Sequence, residues 1–309
     1  MLSELVLSDV LQRLELVLEK ADRLLSAQLP ARDEDPFDTA IAFVWQRRGE
    51  MGRFRPVRHI DQIRLGDLIG IDGQLQKLIR NTRQFLRGAP ANHVLLWGER
   101  GTGKSSAVKA LLHEFAPEGL RLAQVHRQDL LDLPEITERL WDRPEKFILF
   151  CDDLSFEADD LEYKELKAML EGGLHAQPEN MLIYATSNRR HLIPERMADR
   201  QVVVTNGEIH ANDALSEQLS LADRFGLRIG FYAIDQQIYL KIVRHLAAAR
   251  ELPVDDETLE REALRWAMAY SGRSGRSARQ FVDDLEGRMA LEELNPKGTI
   301  TDTVSPHGS

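Results

Sequence analysis

The sequence predicts an α/β fold: a three-layer arrangement around a buried parallel sheet, with a helical segment before it and a helical unit after it. Three observations predict it. Short apolar runs recur between helical stretches, the pattern of βαβ units. One run leads directly into Gly98-Glu99-Arg100-Gly101-Thr102-Gly103-Lys104-Ser105, a G-x-x-x-x-G-K-[ST] loop that opens a helical pattern. Beyond Phe231 the periodicity becomes helical only.

At 309 residues the chain exceeds the usual single domain of roughly 100–200 residues, so two or three compact units are expected. Apolar residues make up 43% and charged ones 29%, which excludes collagen-like, low-complexity and wholly disordered chains. The balance of 40 basic against 50 acidic residues gives a net charge of −10. No global positive field therefore draws the chain onto nucleic acid or an anionic membrane. A single cysteine, Cys151, excludes an internal disulfide framework and fits a reducing compartment. No run approaches the ~18–20 apolar residues of a membrane span. Glu4, Asp9 and Glu15 stand where a signal peptide would be basic and then apolar. The expectation is a cytoplasmic protein with no membrane partner.

Along the chain, residues 2–29 repeat apolar positions at helical spacing, among them Val6, Val10, Leu14, Val17 and Leu18. Pro30 ends that pattern, and Asp33, Glu34, Asp35 and Pro36 read as a linker. Residues 1–36 are thus expected to be a helical segment and linker, and 37–230 the α/β domain. The latter opens on a short apolar stretch at 39–47 and a basic cluster, Arg47, Arg48, Arg53, Arg55 and Arg58, read first as a solvated face or an intrachain partner for the acidic linker. Its sheet is expected from the runs 94–97, 147–150, 181–184 and 202–204. Helices at 234–250, 255–270 and 277–294 make a second unit over 231–294. The polar stretch 295–309, with Pro296 and Pro306, is expected to be a disordered tail.

Glycines in the loop let backbone N–H groups turn inward on phosphate oxygens, Lys104 supplies positive charge to the β- and γ-phosphates, and the Ser105 hydroxyl can ligate Mg²⁺. The expected binding set is Gly98, Glu99, Arg100, Gly101, Thr102, Gly103, Lys104, Ser105 and Ser106. The second apolar run ends in Cys151-Asp152-Asp153, where a carboxylate at a strand end would lie beside that loop. Asp152 is assigned to the metal with Ser105, and Asp153 to water positioning or base catalysis, with Glu157 as substitute. The plainer reading of such a pair is a cap on the next helix. The third run leads into Ala185-Thr186-Ser187-Asn188, and ligands gather at the carboxyl ends of parallel strands, so Asn188 would meet the γ-phosphate or the attacking water. Arg224, in Ser220-Leu221-Ala222-Asp223-Arg224-Phe225-Gly226, and Arg276 or Arg279 near the last helix are candidate guanidiniums for phosphoryl transfer.

This ordered set resembles the AAA+ ATPases. More narrowly, Leu65-Gly66-Asp67-Leu68-Ile69-Gly70-Ile71-Asp72, Asn92-His93-Val94-Leu95-Leu96-Trp97-Gly98, Asp152-Asp153-Leu154-Ser155-Phe156, Leu170-Glu171-Gly172-Gly173 and the stretch 184–191 are similar to the bacterial family labelled domain of unknown function 815. The resemblance implies a P-loop AAA+ core over 37–230 with a helical lid over 231–294, and ATP with Mg²⁺ as its ligands. It makes Arg224 an arginine finger reaching a neighbour in a homo-oligomer, and Asn188 the first sensor. Arg279 becomes the second sensor, with Arg276 as rival, and Ile71 lies near the adenine. Asp153 departs from the Glu that many such ATPases carry.

The leading expectation is an ATPase that remodels an unidentified protein client. One alternative is an ATP-dependent adaptor or switch with slow hydrolysis, which Asp153 favours. The other is a nucleic-acid-dependent ATPase, suggested by the cluster at Arg47–Arg58 and by Arg189, Arg190, Arg196 and Arg200, and disfavoured by the acidic balance.

Overall fold

The computed structural model describes residues 20, 36–49, 51–156, 160–172, 178–188, 204–205, 208–209, 221–270 and 272–294. The chain divides into two compact units, Met1–Ala40 and Ile41–Ser309. In the first, α1 (Pro36–Thr39) is closed by a hydrogen bond from the Ala40 N–H to the Pro36 carbonyl at 3.1 Å. Apart from Lys20, the helix expected over 2–29 lies outside the described residues, as do Asp33, Glu34 and Asp35 of the linker and the tail, whereas Pro36, expected in the linker, opens α1.

Nine strands are described in the second unit: β1 (Ala42–Arg48), β2 (Met51–Pro56), β3 (Val94–Gly98), β4 (Leu120–Gln124), β5 (Lys146–Cys151), β6 (Met181–Ser187), β7 (Val204–Thr205), β8 (Glu208–Ile209) and β9 (Leu227–Phe231). Seven form one sheet in the order β2-β1-β4-β5-β6-β3-β9, parallel throughout except for the β1–β2 hairpin. Strands β3, β5 and β6 are the three runs read from the sequence. The run at 202–204 is corrected. Its described residue, Val204, pairs with Ile209 in a separate antiparallel ribbon, β7–β8. The stretch at 39–47 proves to be a strand, β1, because its Phe43 and Trp45 side chains alternate inward with Phe54 of β2.

Winding order positions the site. From β3 the chain crosses to β4, returns through β5 to β6, and then steps past β3 to β9, so the reversal falls beside β3, where open α/β sheets place ligands. Register does the rest. Trp97 pairs with Ser187 and Cys151 with Ala185, which brings Gly98, Asp152 and Asn188 to one end of the sheet. Every residue of β6 is buried, as expected of a central parallel strand.

The helices of this unit are α2 (Asp72–Leu86), α3 (Lys104–Phe115), α4 (Leu133–Leu140), α5 (Leu161–Glu171), α6 (Gln236–Ala249), α7 (Asp256–Ala269) and α8 (Gly275–Leu294). Leu75, Leu78 and Phe85 of α2 and Val108, Leu111 and Phe115 of α3 join the sheet in one core. A second core, including Tyr239, Val243, Leu259, Ala263 and Phe281, holds α6, α7 and α8 together. The Asp235 and Asp255 carboxylates cap α6 and α7, accepting from the Ile238 and Thr258 N–H groups at 2.8 and 2.9 Å. No helix among the described residues is long and apolar enough to cross a membrane.

The sheet core contains one polar knot. The Tyr184 hydroxyl lies 3.0 Å from Asn81 Nδ2 and 2.9 Å from Thr82 Oγ1, while Asn81 also donates to the Asn92 carbonyl and accepts from the Asn92 N–H. Burial pushes the Tyr184 hydroxyl above its ordinary pKa. Removing that oxygen leaves Asn81 and Thr82 short of a partner in a dry site. Tyr184→Phe should therefore lower stability by about 1–3 kcal/mol, read as a shift of the urea unfolding midpoint at unchanged slope.

Candidate functional site

Three glycines shape the loop between β3 and α3. Gly98, Gly101 and Gly103 have φ of 134°, 74° and 97°, a region that side chains with a Cβ rarely occupy. At Gly98 space forbids substitution as well: a Cβ there would lie 1.8 Å from the Phe231 carbonyl oxygen of β9. Thr102 Oγ1 donates to the Glu99 carbonyl at 2.8 Å and stiffens the turn. Ser106 follows Ser105 in the first turn of α3, half-buried.

Lys104 is only 7% exposed, so its ammonium needs acceptors. It donates to the Gly98 and Glu99 carbonyls at 2.7 and 2.6 Å and to Asn188 Oδ1 at 3.2 Å. Burial holds its pKa below the ordinary 10.5, against the opposing pull of Asp153 and Asp152. Beside it, Ser105 Oγ donates to Asp152 Oδ1 at 2.6 Å. Thr186 Oγ1 donates to the same oxygen at 2.5 Å and accepts from the Asp153 N–H at 2.8 Å. Asp153 has φ of 53°, a left-handed conformation that Asp tolerates better than most side chains. Its carboxylate accepts from Asn188 Nδ2 and faces Arg100 Nη2 at 3.8 Å. The sequence read Thr186 only as part of the polar stretch after the third run, whereas it belongs to β6; the signal for its role was the two-residue alternation that puts it beside Asn188 at the strand end. Glu157 lies outside the described residues.

The helical unit touches the loop directly. The Gly275 N–H donates to the Gly101 carbonyl at 3.0 Å, and a Cβ on Gly101 would meet Ser274 at 3.0 Å and Arg276 Cβ at 3.3 Å. Of the two rival arginines, Arg276 is therefore the one at the loop, and its charge is among those acting on Lys104. Arg279, one turn further along α8, is exposed. Ile71 is 6% exposed, with its Cδ1 3.4 Å from where a Gly103 Cβ would stand. Ile238 of α6 closes on Gly70 in the same neighbourhood, a contact the sequence did not signal. Arg224 is ion-paired with Glu171 at the end of α5, 2.6 Å away.

This sheet order, loop and strand-end carboxylate define a P-loop α/β fold of the AAA+ type. The chain is similar in fold to a RuvB mutant from Thermotoga maritima, 15% identical with a TM-score of 0.50 over 76% of this chain and 68% of that one. It is equally similar to the FIGL-1 AAA domain in complex with ADP, 18% identical with a TM-score of 0.50 over 80% of each chain. No curated protein sequence matches. The model of the family described as "Protein of unknown function (DUF815)" matches residues 38–289, and the chain belongs to that family.

Two outcomes follow from the burial of the site. Complete burial pushes the Cys151 thiol up to about 12, so it is no nucleophile; a thiol reagent should label the native protein negligibly and the urea-unfolded protein fully. For Lys104, a folded pKa below the unfolded value means that the folded chain binds fewer protons between the two, so stability rises with pH across that window. Lys104→Met removes the titration, and its thermal midpoint relative to wild type should fall steadily as pH is raised toward 10.5.

Proposed function

We propose that the chain is a Mg²⁺-dependent ATPase of the cytoplasm that works as a homo-oligomer and couples its nucleotide state to remodelling of a protein partner. The observation that carries this reading is the convergence of Lys104, Ser105, Asp152 and Asn188 at one end of the sheet, with Ser105 Oγ 2.6 Å from Asp152. A hydroxyl and a carboxylate side by side fit a hard divalent cation, and a glycine cradle that a Cβ would fill fits phosphate oxygens. The FIGL-1 AAA domain holds ADP, and the same nucleotide class is proposed here. Bound Mg²⁺ would neutralise charge on the β- and γ-phosphates.

The chain's own residues divide the remaining work. Backbone N–H groups of the loop hold phosphate oxygens, and Lys104 exchanges carbonyl partners for them. Asn188 orients the attacking water, and the Asp153 carboxylate takes up its proton. Ile71 and Ile238 enclose the base. The helices over 231–294 act as a lid, with Arg276 rather than Arg279 as the nearer cation. Arg224, once freed from Glu171, completes the site of a neighbouring subunit. A second reading, a nucleotide switch with slow turnover, is favoured by the engagement of Asp153 with Asn188 and Arg100.

Steady-state hydrolysis across a protein concentration series tests both. Specific activity should climb with concentration. Arg224→Ala should keep ATP affinity and lose about 10³-fold or more in turnover, whereas Lys104→Ala should lose ATP binding itself. Full turnover in Arg224→Ala overturns the shared site. Tight ATP binding with negligible turnover at every concentration selects the switch.

A further inference from the structure

A cavity of about 470 Å³ opens at the free edge of β9, lined by Gln74 and Lys77 of α2, Trp97, Arg228, Gly230 and Tyr232. That volume is within the roughly 300–1,000 Å³ typical of ligand clefts, and none of these residues belongs to the loop at 98–105. Trp97 and Tyr232 meet edge to face at 5.7 Å, and Tyr232 is 66% exposed. Gly230 keeps the space open, since a Cβ there would lie 2.8 Å from both Trp97 and the Tyr232 hydroxyl. An exposed ring at the mouth of a cleft is a platform for a planar group.

The same cleft ends a basic stripe. Lys77, Arg80 and Arg83 recur at helical spacing on the solvent side of α2, opposite the buried Leu75, Leu78 and Phe85, Arg87 caps its C-terminal end, and Asp72 is the only acidic residue in that helix. Arg83 lies over the Phe115 ring, and Arg228 at the cleft pairs with Asp223. The Lys77, Arg80 and Arg87 side chains have no ion pair among the described residues. In a chain of net charge −10, such a row is a local field of opposite sign to the whole. It runs about 15 Å, ending at a stacking platform. Cations that follow a backbone, joined to an aromatic that takes a base of any kind, are the recognition chemistry of single-stranded nucleic acid.

We propose that the face formed by Lys77, Arg80 and Arg87 with the Tyr232 cleft binds single-stranded nucleic acid, phosphates on the helix and one base against Tyr232. The test uses the full chain without nucleotide, so its failure leaves the ATPase reading untouched. Fluorescein-labelled oligothymidylate and oligouridylate are titrated by anisotropy; preference for either meets the proposal and identifies DNA or RNA as the source. With three phosphate contacts, affinity should fall about 20-fold between about 50 and 200 mM salt. The triple variant Lys77→Ala, Arg80→Ala, Arg87→Ala should lose most of that salt dependence along with affinity. Tyr232→Ala should weaken binding about tenfold, and Tyr232→Phe, which keeps the ring, should match wild type. The proposal is overturned by absence of binding at low salt, by a triple variant or Tyr232→Ala that binds like wild type, or by full displacement with polyglutamate at matched charge, which would mark an acidic protein partner instead.

Discussion

A buried ammonium is the constraint around which the site is organised. Desolvating Lys104 costs several kcal/mol unless its donors are met, and two of the three acceptors it finds are carbonyls of its own loop. The loop that presents them has positive φ at Gly98, Gly101 and Gly103, a conformation glycine adopts without strain. The third acceptor, Asn188, is delivered by β6, and the register of β3 against β6 sets its height. Loop conformation, glycine placement and strand register thus answer one demand, the solvation of a buried cation.

Around this centre the acidic pair divides by environment. Asp152 receives two hydroxyls on one oxygen, so its position is fixed by neighbours from α3 and β6. Asp153 is held through its backbone by Thr186 and through its carboxylate by Asn188, in a conformation that costs energy to maintain. Thr186 links the two residues: one strand-end hydroxyl donates to the Asp152 carboxylate and accepts from the Asp153 N–H.

Much of this was legible in the sequence, for a physical reason. Residues 98–105 carry their geometry locally, because glycine and lysine at fixed spacing leave few backbone solutions, and the runs at 94, 147 and 181 are apolar enough to be read as buried strands without context. Strands β2, β4 and β9 were missed because Arg53, Arg55, Arg121 and Arg228 interrupt their apolar residues, so neither the two edge strands nor the interior β4 shows a continuous apolar run. The run at 202–204 misled for the opposite reason: an apolar triplet reports burial or pairing but not which sheet it joins. The choice between Arg276 and Arg279 depended on how α8 approaches Gly101, a tertiary fact with no local signature. Ile238 escaped because a lone aliphatic on an amphipathic helix looks like any other core residue.

The approach of α8 to the loop has a mechanical side. Its first residue, Gly275, is hydrogen-bonded to Gly101, and the connection into the helical unit leaves β9 at Phe231, whose carbonyl crowds Gly98. Both attachments sit at the loop, while the remainder of the 20-residue helix extends about 30 Å away from it. A rotation of about 10° about this near end displaces the far end by about 5 Å, from the same helical rise, while the Gly275–Gly101 contact moves by a fraction of that. Because the near end is pinned at the loop, the displacement from any such rotation is smallest at Gly101 and largest at the far end of the helix.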